Sequence, residues 1–523
     1  MAVRNIALAA LVAGLVLLAQ AAAQADSEYA LIDVPLARTG KVAATLSAII
    51  QCPTVGNRSA TQHVYNPAPF RKLHETLAAE FPQLYEVVKV ETVNDFSLLF
   101  TWEGSDPSLR PLLLISHLDV VPAPIDNWTV DPFSGHIDDE FIWGRGTLDT
   151  KGSGIAILEA WEQLRSQGWT PTRTILFGFG HDEELGGHEG ALKISHVLEE
   201  RYPSGLEMIL DEGGFTLSDG LGPQVAKLLS GSAHMAAVGL AEKGKASWKV
   251  SIRGAGGHSS MPPAPGTSTT ATLGKLLTML NERDLPARLQ PPTSDFLKAL
   301  APHIKYRAAG WLLKQTESPV VGPILSRVLS ATPLTSMMIR TAHGVVGAVA
   351  GGDAGNAMPT SGSVAVDFRL LAHGGDEVAQ YMQGIVDDLK LPATGSVRVA
   401  PLPGAVNASA ITPAAGPRWE AVRRAVLETV PRPGGPPVLV LPYLMSAGTD
   451  SKNYERLARE RIFRYEPFVV ANRQLSGIHG VDERIGIESY TQGIKFYIRF
   501  TQLVADSAFA ECAADACPDA ASA

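Results

Sequence analysis

The sequence predicts an α/β fold with a mainly parallel sheet, into which a smaller α+β domain is inserted. Three continuous apolar runs support the parallel sheet, because strands covered on both faces lack polar alternation. They span residues 111–116, 174–179 and 208–210, and a helix-like segment at 152–165 lies between the first two. Strands that alternate with helices favour a parallel arrangement.

A different pattern after about residue 240 predicts the inserted domain. Residues 245–253 and 363–370 alternate between apolar and polar side chains, as half-exposed strands do. Helix-like segments at 269–281 and 376–389 make the order strand, helix, strand, helix, which is typical of a ferredoxin-like α+β unit. We interpret the proline-rich stretch 286–333 as a helical excursion within this domain.

Composition limits the partners of the chain. It has 523 residues, of which 45% are hydrophobic, so it can bury a large core and is not a disordered protein. The formal net charge of -9 argues against a general affinity for nucleic acid or for an anionic membrane. We therefore expect a small molecule as the partner and no stable membrane insertion.

The N-terminus predicts export. Arg4 precedes an apolar stretch at 6–23, and the small residues Ala23 and Ala25 come before Asp26, as in a cleaved secretory signal. The destination is secreted, periplasmic or vacuolar. The alternative is an uncleaved membrane anchor, since about 18 apolar residues just span a bilayer.

The cysteines fit an oxidising compartment. Cys512 and Cys517 are close enough in the tail to close a small disulfide loop, which leaves Cys52 unpaired. Zinc ligation in the tail is disfavoured, because no further cysteine or histidine is near.

Polar side chains able to bind metal follow each of the three apolar runs. His117 and Asp119 follow the first run, Glu183 and Glu184 the second, and Asp211 the third. Open α/β sheets place their sites at the carboxyl ends of strands, so we expect these residues to share one cleft. Asp119 is placed to take the second ring N–H of His117.

Two further residues complete the set that a two-metal hydrolytic site needs. Asp149 lies in a glycine-rich turn before a helix, and His479 lies in the segment 477–484. Such a site needs several carboxylates and imidazoles, one carboxylate shared between the metals, and one left free to take a proton. The sequence supplies all of these residue types.

Six motifs occur in order along the chain: His117-Leu-Asp-Val-Val, Gly146-Thr-Leu-Asp-Thr-Lys-Gly, Asp182-Glu-Glu, Gly257-His-Ser-Ser-Met-Pro-Pro, Gly448-Thr-Asp-Ser and His479-Gly-Val-Asp-Glu. Together they resemble the M20 metallopeptidases, the aminoacylase and carboxypeptidase group, over about residues 35–505. The segments 211–215 and 356–369 are most similar to the branch of Gly-X carboxypeptidases and N-fatty-acyl-amino-acid synthase/hydrolases.

The resemblance implies a zinc-peptidase catalytic domain with an inserted lid. The expected division is a signal peptide at 1–25, the catalytic domain at 26–240 and 403–505, the lid with its helical excursion at 241–402, and a tail at 506–523.

The resemblance also implies two zinc ions per subunit. Asp149 would bridge them, with His117 and Asp211 on one ion and Glu184 and His479 on the other. Adjacent glutamates then have different roles, because one is neutralised by a dication and its neighbour is left free.

The remaining roles concern the substrate. By the resemblance Glu183 is the general base, and His258 stabilises the oxyanion. Asn356, Arg369 and Gly448 would hold the substrate carboxylate and backbone. In some dimers of the family the histidine comes from the neighbouring subunit, so a homodimer is compatible with the resemblance.

The chain departs from the family pattern at two positions. Thr150 follows Asp149 where many relatives have a second aspartate and a cis peptide bond, and Asp482 stands where many relatives have asparagine. Neither change removes a predicted metal ligand.

These observations predict an enzyme that cleaves the amide bond of dipeptides or N-acyl amino acids next to a free carboxylate. The alternative with the same chemistry is a reversible N-fatty-acyl-amino-acid synthase/hydrolase. A non-catalytic binding protein on the same scaffold is disfavoured, because neither the base nor a ligand is missing from the sequence.

Overall fold

The computed structural model describes residues 29–220, 227–229, 234–351, 355–372, 374–389, 391, 395–431, 438–506 and 509. The predicted signal peptide at 1–25 and the predicted Cys512–Cys517 pair lie outside these residues. Cys52 is buried and has no disulfide partner within the described ranges.

The strands, numbered along the chain, are β1 Lys89–Val93, β2 Ser97–Trp102, β3 Leu112–His117, β4 Phe141–Trp143, β5 Ile175–Gly180, β6 Met208–Leu217, β7 Met235–Glu242, β8 Gly244–Arg253, β9 Gly257–His258, β10 Ala342–Ala350, β11 Ala357–Met358, β12 Ser361–Leu370, β13 Ser396–Pro401, β14 Leu439–Met445, β15 Ile462–Val470 and β16 Arg484–Gly486.

The α-helices, numbered in the same way, are α1 Val42–Ile50, α2 Ala68–Glu80, α3 Pro82–Tyr85, α4 Lys151–Ser166, α5 Ala191–Arg201, α6 Thr269–Glu282, α7 Thr293–Leu300, α8 Arg307–Leu313, α9 Val321–Leu329, α10 Pro333–Ser336, α11 Gly374–Asp388, α12 Gly416–Thr429, α13 Glu455–Ala458 and α14 Ile487–Ala505.

The larger sheet has the strand order β1-β2-β5-β3-β6-β15-β7-β14. Its centre, β5-β3-β6-β15, is parallel, whereas β1 and β2 run antiparallel at one edge. Leu112 and Leu114 of β3 pack in one buried cluster, while Leu113 and Ile115 pack in another. Because alternate side chains point to opposite faces, β3 is covered on both sides, as its continuous apolar sequence predicted.

The smaller sheet is antiparallel, with the order β10-β12-β8-β13. Its core is separate from that of the larger sheet and includes Val250 of β8, Val366 of β12, Leu276 of α6 and Val378 of α11. All of these elements fall between residues 241 and 402, where the inserted α+β domain was predicted. The function of this part as a lid stays a prediction.

The helical excursion was predicted to lie within the inserted domain, but it packs elsewhere. Residues 286–333 do form the helices α7, α8 and α9. Their apolar side chains, such as Phe296 and Leu325, cluster with Met235 of β7 and Leu441 of β14. The excursion therefore covers an edge of the larger sheet, because the apolar faces of β7 and β14 need a partner there.

Three strands of the two main sheets were not predicted from the sequence. They are β7 and β15 of the larger sheet and β10 of the smaller one. The four short strands β4, β9, β11 and β16, which form two separate two-stranded sheets, were not predicted either. Strand β6 also continues to Leu217, whereas the apolar run stops at Leu210. No helix within the described ranges is both long enough and apolar enough to cross a bilayer.

Candidate metal centre

The carboxyl ends of β5 and β3 lie beside the middle of β6 at one edge of the larger sheet. His117 closes β3 and pairs with Gly180, the last residue of β5. Asp149 reaches the same edge from the glycine-rich turn before α4, and Glu184 from a short 3-10 helix, Glu183–Leu185, just after β5. Strand and turn geometry therefore brings distant parts of the sequence to one place.

Two groups of ligand atoms share the carboxylate of Asp149 at this edge. Nε2 of His117 lies 3.0 Å from Oδ1 of Asp149 and 3.6 Å from Oε2 of Glu212. Nε2 of His479 lies 3.0 Å from Oδ2 of Asp149 and 3.1 Å from Oε2 of Glu184. Each oxygen of Asp149 thus faces a different imidazole, and Asp149 belongs to both groups.

Asp211 was predicted in this cluster, and the structure corrects that placement. Glu212, the next residue, contributes the carboxylate beside His117. The Asp211 carboxylate instead accepts hydrogen bonds from the backbone N–H groups of Glu212 at 2.8 Å and Ser451 at 2.9 Å. Because β6 continues through both residues, their side chains point to opposite faces, and only one of them reaches His117.

Asp119 fixes two parts of the site together. Its backbone oxygen lies 2.9 Å and its carboxylate 3.5 Å from Nδ1 of His117, which turns Nε2 of that ring towards Asp149. The same carboxylate accepts hydrogen bonds from the N–H groups of Glu183 at 3.1 Å and Glu184 at 3.2 Å. Asp119 therefore orients the histidine and also holds the loop that carries both glutamates.

Glu483 was not singled out from the sequence, although it lies four residues after His479. It is buried, and its Oε1 accepts hydrogen bonds from the N–H groups of Gly146, Leu148 and Asp149 at 2.8 to 3.2 Å. Its other oxygen pairs with buried Arg145. This one carboxylate ties the turn of Asp149 to the segment of His479.

The turn that carries Asp149 needs glycine. Gly146 has a φ of +93°, and a Cβ added there would lie 2.9 Å from Cγ1 of Val120. The Asp149–Thr150 peptide bond is cis, although threonine replaces the aspartate of many relatives. Oγ1 of Thr150 accepts a hydrogen bond from the N–H of His117 at 3.1 Å.

Asp482, the second residue that departs from the family pattern, is held by hydrogen bonds to Thr129. Asp482 accepts hydrogen bonds from the backbone N–H of Thr129 at 2.7 Å and from its hydroxyl at 2.8 Å. These bonds anchor the loop on the carboxyl side of His479.

The adjacent glutamates of the loop differ in their surroundings. The carboxylate of Glu184 contacts His479, whereas that of Glu183 has no hydrogen-bond or ion-pair partner within the described ranges. Desolvation raises the pKa of Glu183 well above its usual value, and the nearby Glu212 carboxylate raises it further. One carboxylate is engaged with the ligand groups, and the other is free to accept a proton.

The ligand groups favour positive charge. Hydrogen bonds with Asp149 and then with Glu184 raise the pKa of His479 to about 10. Burial lowers the pKa of His117, but Glu212, Asp119 and Asp149 outweigh this effect and hold it well above the usual value. Carboxylates therefore dominate the local field.

The donor set fits two zinc ions. Nitrogen and oxygen donors at about 2.0–2.1 Å from a tetrahedral zinc ion lie roughly 3.3 Å apart. The four spacings of 3.0 to 3.6 Å between the imidazole nitrogens and the carboxylate oxygens agree with this value. Two neutral imidazoles and the three carboxylates of Asp149, Glu184 and Glu212 also carry a charge that two dications would compensate.

The predicted substrate residues of the region 241–402 are not part of the cluster. His258 and Asn356 are exposed and contact each other at 3.3 Å. Arg369 is half-exposed, and its guanidinium lies 3.5 Å from Asp367. Among the described residues, none of the three forms a hydrogen bond or ion pair with a member of the cluster.

The predicted substrate turn at Gly448 is held by a buried ion pair. Oε1 of Glu242 accepts hydrogen bonds from the N–H of Thr449 at 3.0 Å and from Nε of Arg464 at 2.8 Å. Nε of Arg464 also lies 2.9 Å from the hydroxyl of Ser451, whose N–H binds Asp211. The ion pair thus joins this turn to β7 and β15, and the bond from Ser451 to Asp211 joins it to β6, the strand that carries Glu212.

Fold and site together define a class of protein. Two ligand groups that share one carboxylate at the carboxyl edge of an α/β sheet, beside a free carboxylate, are the arrangement of a metal-dependent hydrolase.

Comparison with known proteins gives the family. The model of peptidase family M20/M25/M40 matches residues 113–503. Probable carboxypeptidase S-like 2 of Dictyostelium discoideum is 34% identical over 478 residues, covering 90% of this chain and 85% of the relative. N-fatty-acyl-amino acid synthase/hydrolase PM20D1 of Xenopus tropicalis is 31% identical over 466 residues, covering 87% of this chain and 84% of the relative.

A solved structure supports the same fold. The M20 family metallo-carboxypeptidase Sso-CP2 from Sulfolobus solfataricus superposes with a TM-score of 0.61 at 17% identity, covering 89% of this chain and 99% of that one. The chain therefore belongs to peptidase family M20/M25/M40, as its motifs predicted. It is a metallopeptidase of that family, a hydrolase of amide bonds.

Proposed function

We propose that the chain is a di-zinc hydrolase that cleaves the amide bond of dipeptides or N-acyl amino acids next to a free carboxylate. The observation that carries this proposal is the position of Asp149, whose two oxygens lie 3.0 Å from the imidazoles of His117 and of His479. A carboxylate shared in this way is what a two-metal site requires.

The residues that would hold the two ions follow from the two ligand groups. His117 and Glu212 would bind one ion, Glu184 and His479 the other, and Asp149 both. When bound, the pair would act as a Lewis acid on the amide carbonyl and make the attacking water more acidic.

Glu183 is the proposed general base. Its carboxylate is free of hydrogen bonds to other described residues, and its raised pKa makes it a stronger base than an exposed glutamate. It takes the proton of the attacking water and passes it to the leaving nitrogen. Asp119 keeps Glu183 in place through the backbone N–H, so the base and the ligand groups are held by one carboxylate.

The proposed substrate class rests on the relatives and on the chemistry of the remaining residues. Both curated relatives bear names that specify compounds with a free carboxylate, a carboxypeptidase and an enzyme of N-fatty-acyl amino acids. Arg369 and Asn356, with the Gly448 turn, are the proposed contacts for that carboxylate, and His258 is the proposed donor to the oxyanion. An arginine suits a carboxylate through its planar fork of donors.

A second candidate is the reversible synthesis and hydrolysis of N-fatty-acyl amino acids. It is favoured by the similarity to PM20D1, which covers 87% of the chain. Both candidates use the same residues, and they differ in the length of the acyl group that the enzyme accepts.

The test is a screen of the purified chain against dipeptides and N-acyl amino acids of increasing acyl length. A chelator should abolish hydrolysis, and added zinc should restore it. A rate that rises with acyl length, together with synthesis from free fatty acid and amino acid, would favour the second candidate. Activity that survives complete metal removal would exclude both.

A variant tests the base. Glu183→Gln should lower kcat by about a hundredfold to ten-thousandfold while two zinc ions remain bound, because only proton transfer is lost. Glu200→Gln, at an exposed position of α5, is the matched control and should leave kcat unchanged. Parent-like turnover by Glu183→Gln would show that another group is the base.

A further inference from the structure

The helices α8 and α9 expose large apolar side chains to solvent. Six such residues lie within a stretch of 23 positions and are 41% to 69% exposed; they are Tyr306, Trp311, Leu312, Val320, Ile324 and Val328. We refer to them as the outer apolar face. Scattered apolar residues are ordinary on protein surfaces, but a concentration in one segment marks an interaction site.

The outer apolar face is a structural consequence of how the helices pack. In α9, Leu325 is buried and Val321 and Leu329 are partly buried against the cluster formed with β7 and β14. Val320, Ile324 and Val328 follow the same four-residue spacing, one position earlier, and form a neighbouring stripe that the cluster does not cover. This helix is therefore apolar over more of its circumference than its packing uses.

Helix α8 has the same arrangement. Ala309 and Leu313 pack against the cluster that α9 also covers, whereas Trp311 and Leu312 are exposed. The inner sides of both helices face one cluster, so their exposed sides point away from the body of the protein.

The charge of this segment is opposite to that of the whole chain. Residues 302–331 contain four cationic side chains and a single carboxylate, Glu317, so their net charge is +3 in a chain of -9. Lys298 engages that carboxylate in an ion pair at 2.5 Å. The four cations are all exposed; they are Lys305, Arg307, Lys314 and Arg327.

A second segment, residues 227–228, also exposes one apolar and one cationic side chain. The N–H of Lys305 donates a hydrogen bond to the backbone oxygen of Leu228 at 2.7 Å. Leu228 is an exposed apolar side chain, and Lys227 beside it is an exposed cation. This hydrogen bond places exposed apolar and cationic residues from two parts of the chain, Leu228 with Lys227 and Lys305, next to one another.

We propose that the outer apolar face docks this protein on an anionic lipid surface. Tryptophan, tyrosine and aliphatic side chains on helices with exposed cations are the composition that lies at the boundary between headgroups and acyl chains. The docking is peripheral and spans no bilayer, and it does not depend on the proposed function. The net charge of -9 argues against a general affinity for anionic membranes, but it opposes docking through this cationic segment only weakly, because repulsion is screened beyond about 8 Å at physiological salt.

A second copy of the chain is a poorer occupant of this face. A twofold dimer would bring the same surface of each subunit together. The cations of one copy would then meet those of the other, and like charges across an interface oppose association. Anionic headgroups satisfy the same cations.

The first experiment tests the charges with the full chain. We expect the parent to sediment with phosphatidylcholine vesicles that contain phosphatidylglycerol, and much less with phosphatidylcholine alone. Each cation near such a surface contributes about fivefold, so Arg307→Glu combined with Arg327→Glu should lower partitioning by at least about 25-fold. Lys72→Glu with Lys275→Glu, exposed cations on α2 and α6, is the control of equal charge and should bind like the parent.

The second experiment tests the apolar contact. Ile324→Ser combined with Val328→Ser should weaken vesicle binding by about tenfold or more, because apolar surface that would enter the lipid is removed. The matched control, Val346→Ser with Val349→Ser, changes equally exposed valines on β10 and should bind as the parent does. Unfolding midpoints establish that each variant is folded.

Several outcomes would overturn the proposal. Equal binding to both vesicle types, equal binding of the charge-reversed variant and its control, or no binding of the parent would each do so. Every variant carries the same N-terminal apolar segment, so that segment cannot produce a difference between them. A parent dimer in sedimentation velocity that Ile324→Ser with Val328→Ser dissociates, without vesicle binding, would make this face an interface between copies.

Discussion

The carboxyl edge of the larger sheet and the region 241–402 hold their predicted site residues in opposite ways. At the edge, His117 and Asp149 are largely buried, and each is fixed by contacts from several elements. In the region 241–402, His258 and Asn356 lie at the short β9–β11 pair, are exposed and contact each other. A buried framework sets its distances before a ligand arrives, whereas exposed side chains are ordered only when something covers them. The candidate ligand groups of His117 and of His479 thus lie together in one region.

The largest expected effect is a loss of stability when the buried ion pair between Glu242 and Arg464, which holds the Gly448 turn, is broken. Arg464→Met would leave the buried Glu242 carboxylate without its cation, so the free energy of unfolding should fall by about 3–5 kcal/mol. Urea unfolding measures this loss. Arg398→Met, at an exposed position of β13, should change stability little. If Arg464→Met is as stable as that control, the ion pair does not hold the region together.

The next largest effect should distinguish Glu212 from Asp211, the two neighbouring carboxylates of β6, by their contribution to zinc affinity. Glu212→Gln removes a charged ligand and should lower zinc affinity by about a hundredfold or more, since even partners of ligands contribute about 10- to 100-fold. Asp211→Asn should have a much smaller effect, because its contacts are to backbone N–H groups. Competition with a chromogenic chelator measures both. If Asp211→Asn lowered zinc affinity more than Glu212→Gln, Asp211 and not Glu212 would be the ligand.

A smaller loss of zinc affinity is expected at Glu483. Glu483→Gln weakens three hydrogen bonds to the turn of Asp149 and removes the carboxylate partner of Arg145, so zinc affinity should fall by about 10- to 100-fold. The exposed Glu488→Gln serves as its control in the same titration. Unchanged affinity would mean that the turn keeps its position without this carboxylate.

The smallest effect on zinc binding should come from His258 in the region 241–402. His258→Ala should leave zinc affinity unchanged, because His258 has no contact with the ligand groups among the described residues. If His258 stabilises the oxyanion, kcat should nevertheless fall by about 10²–10³. Zinc titration and steady-state kinetics on one preparation test this split, with His136→Ala as an exposed control. If His258→Ala lost zinc, His258 would contribute to metal binding, and the two regions would not be independent.

Much of the fold was predictable because burial on both faces leaves a simple signal. The apolar runs before His117 and Glu183 predicted adjacent parallel strands, and the structure pairs them in register from Leu112 with Ile175 onwards. The carboxyl ends of the runs then had to meet. This is why residues so far apart in the sequence were expected at one edge.

The error at Asp211 has a physical reason. Asp211 and Glu212 are adjacent in the sequence, and successive side chains of a strand point to opposite faces, so only one of the two can face His117. The sequence does not reveal the face that Asp211 takes, since β6 runs seven residues beyond the apolar stretch. Pairing with β15 settles it, with Asp211 opposite Arg464.

Sequence alone determined the parallel α/β architecture, the family, and the residue types of the metal centre, because periodicity and ordered motifs are local properties. Only the tertiary structure decided that Glu212 takes the place of Asp211, that Glu483 secures the turn of Asp149, and that the helical excursion covers β14. These outcomes depend on which face of a strand is buried and on contacts between residues hundreds of positions apart. Neither is encoded in any short stretch of the chain.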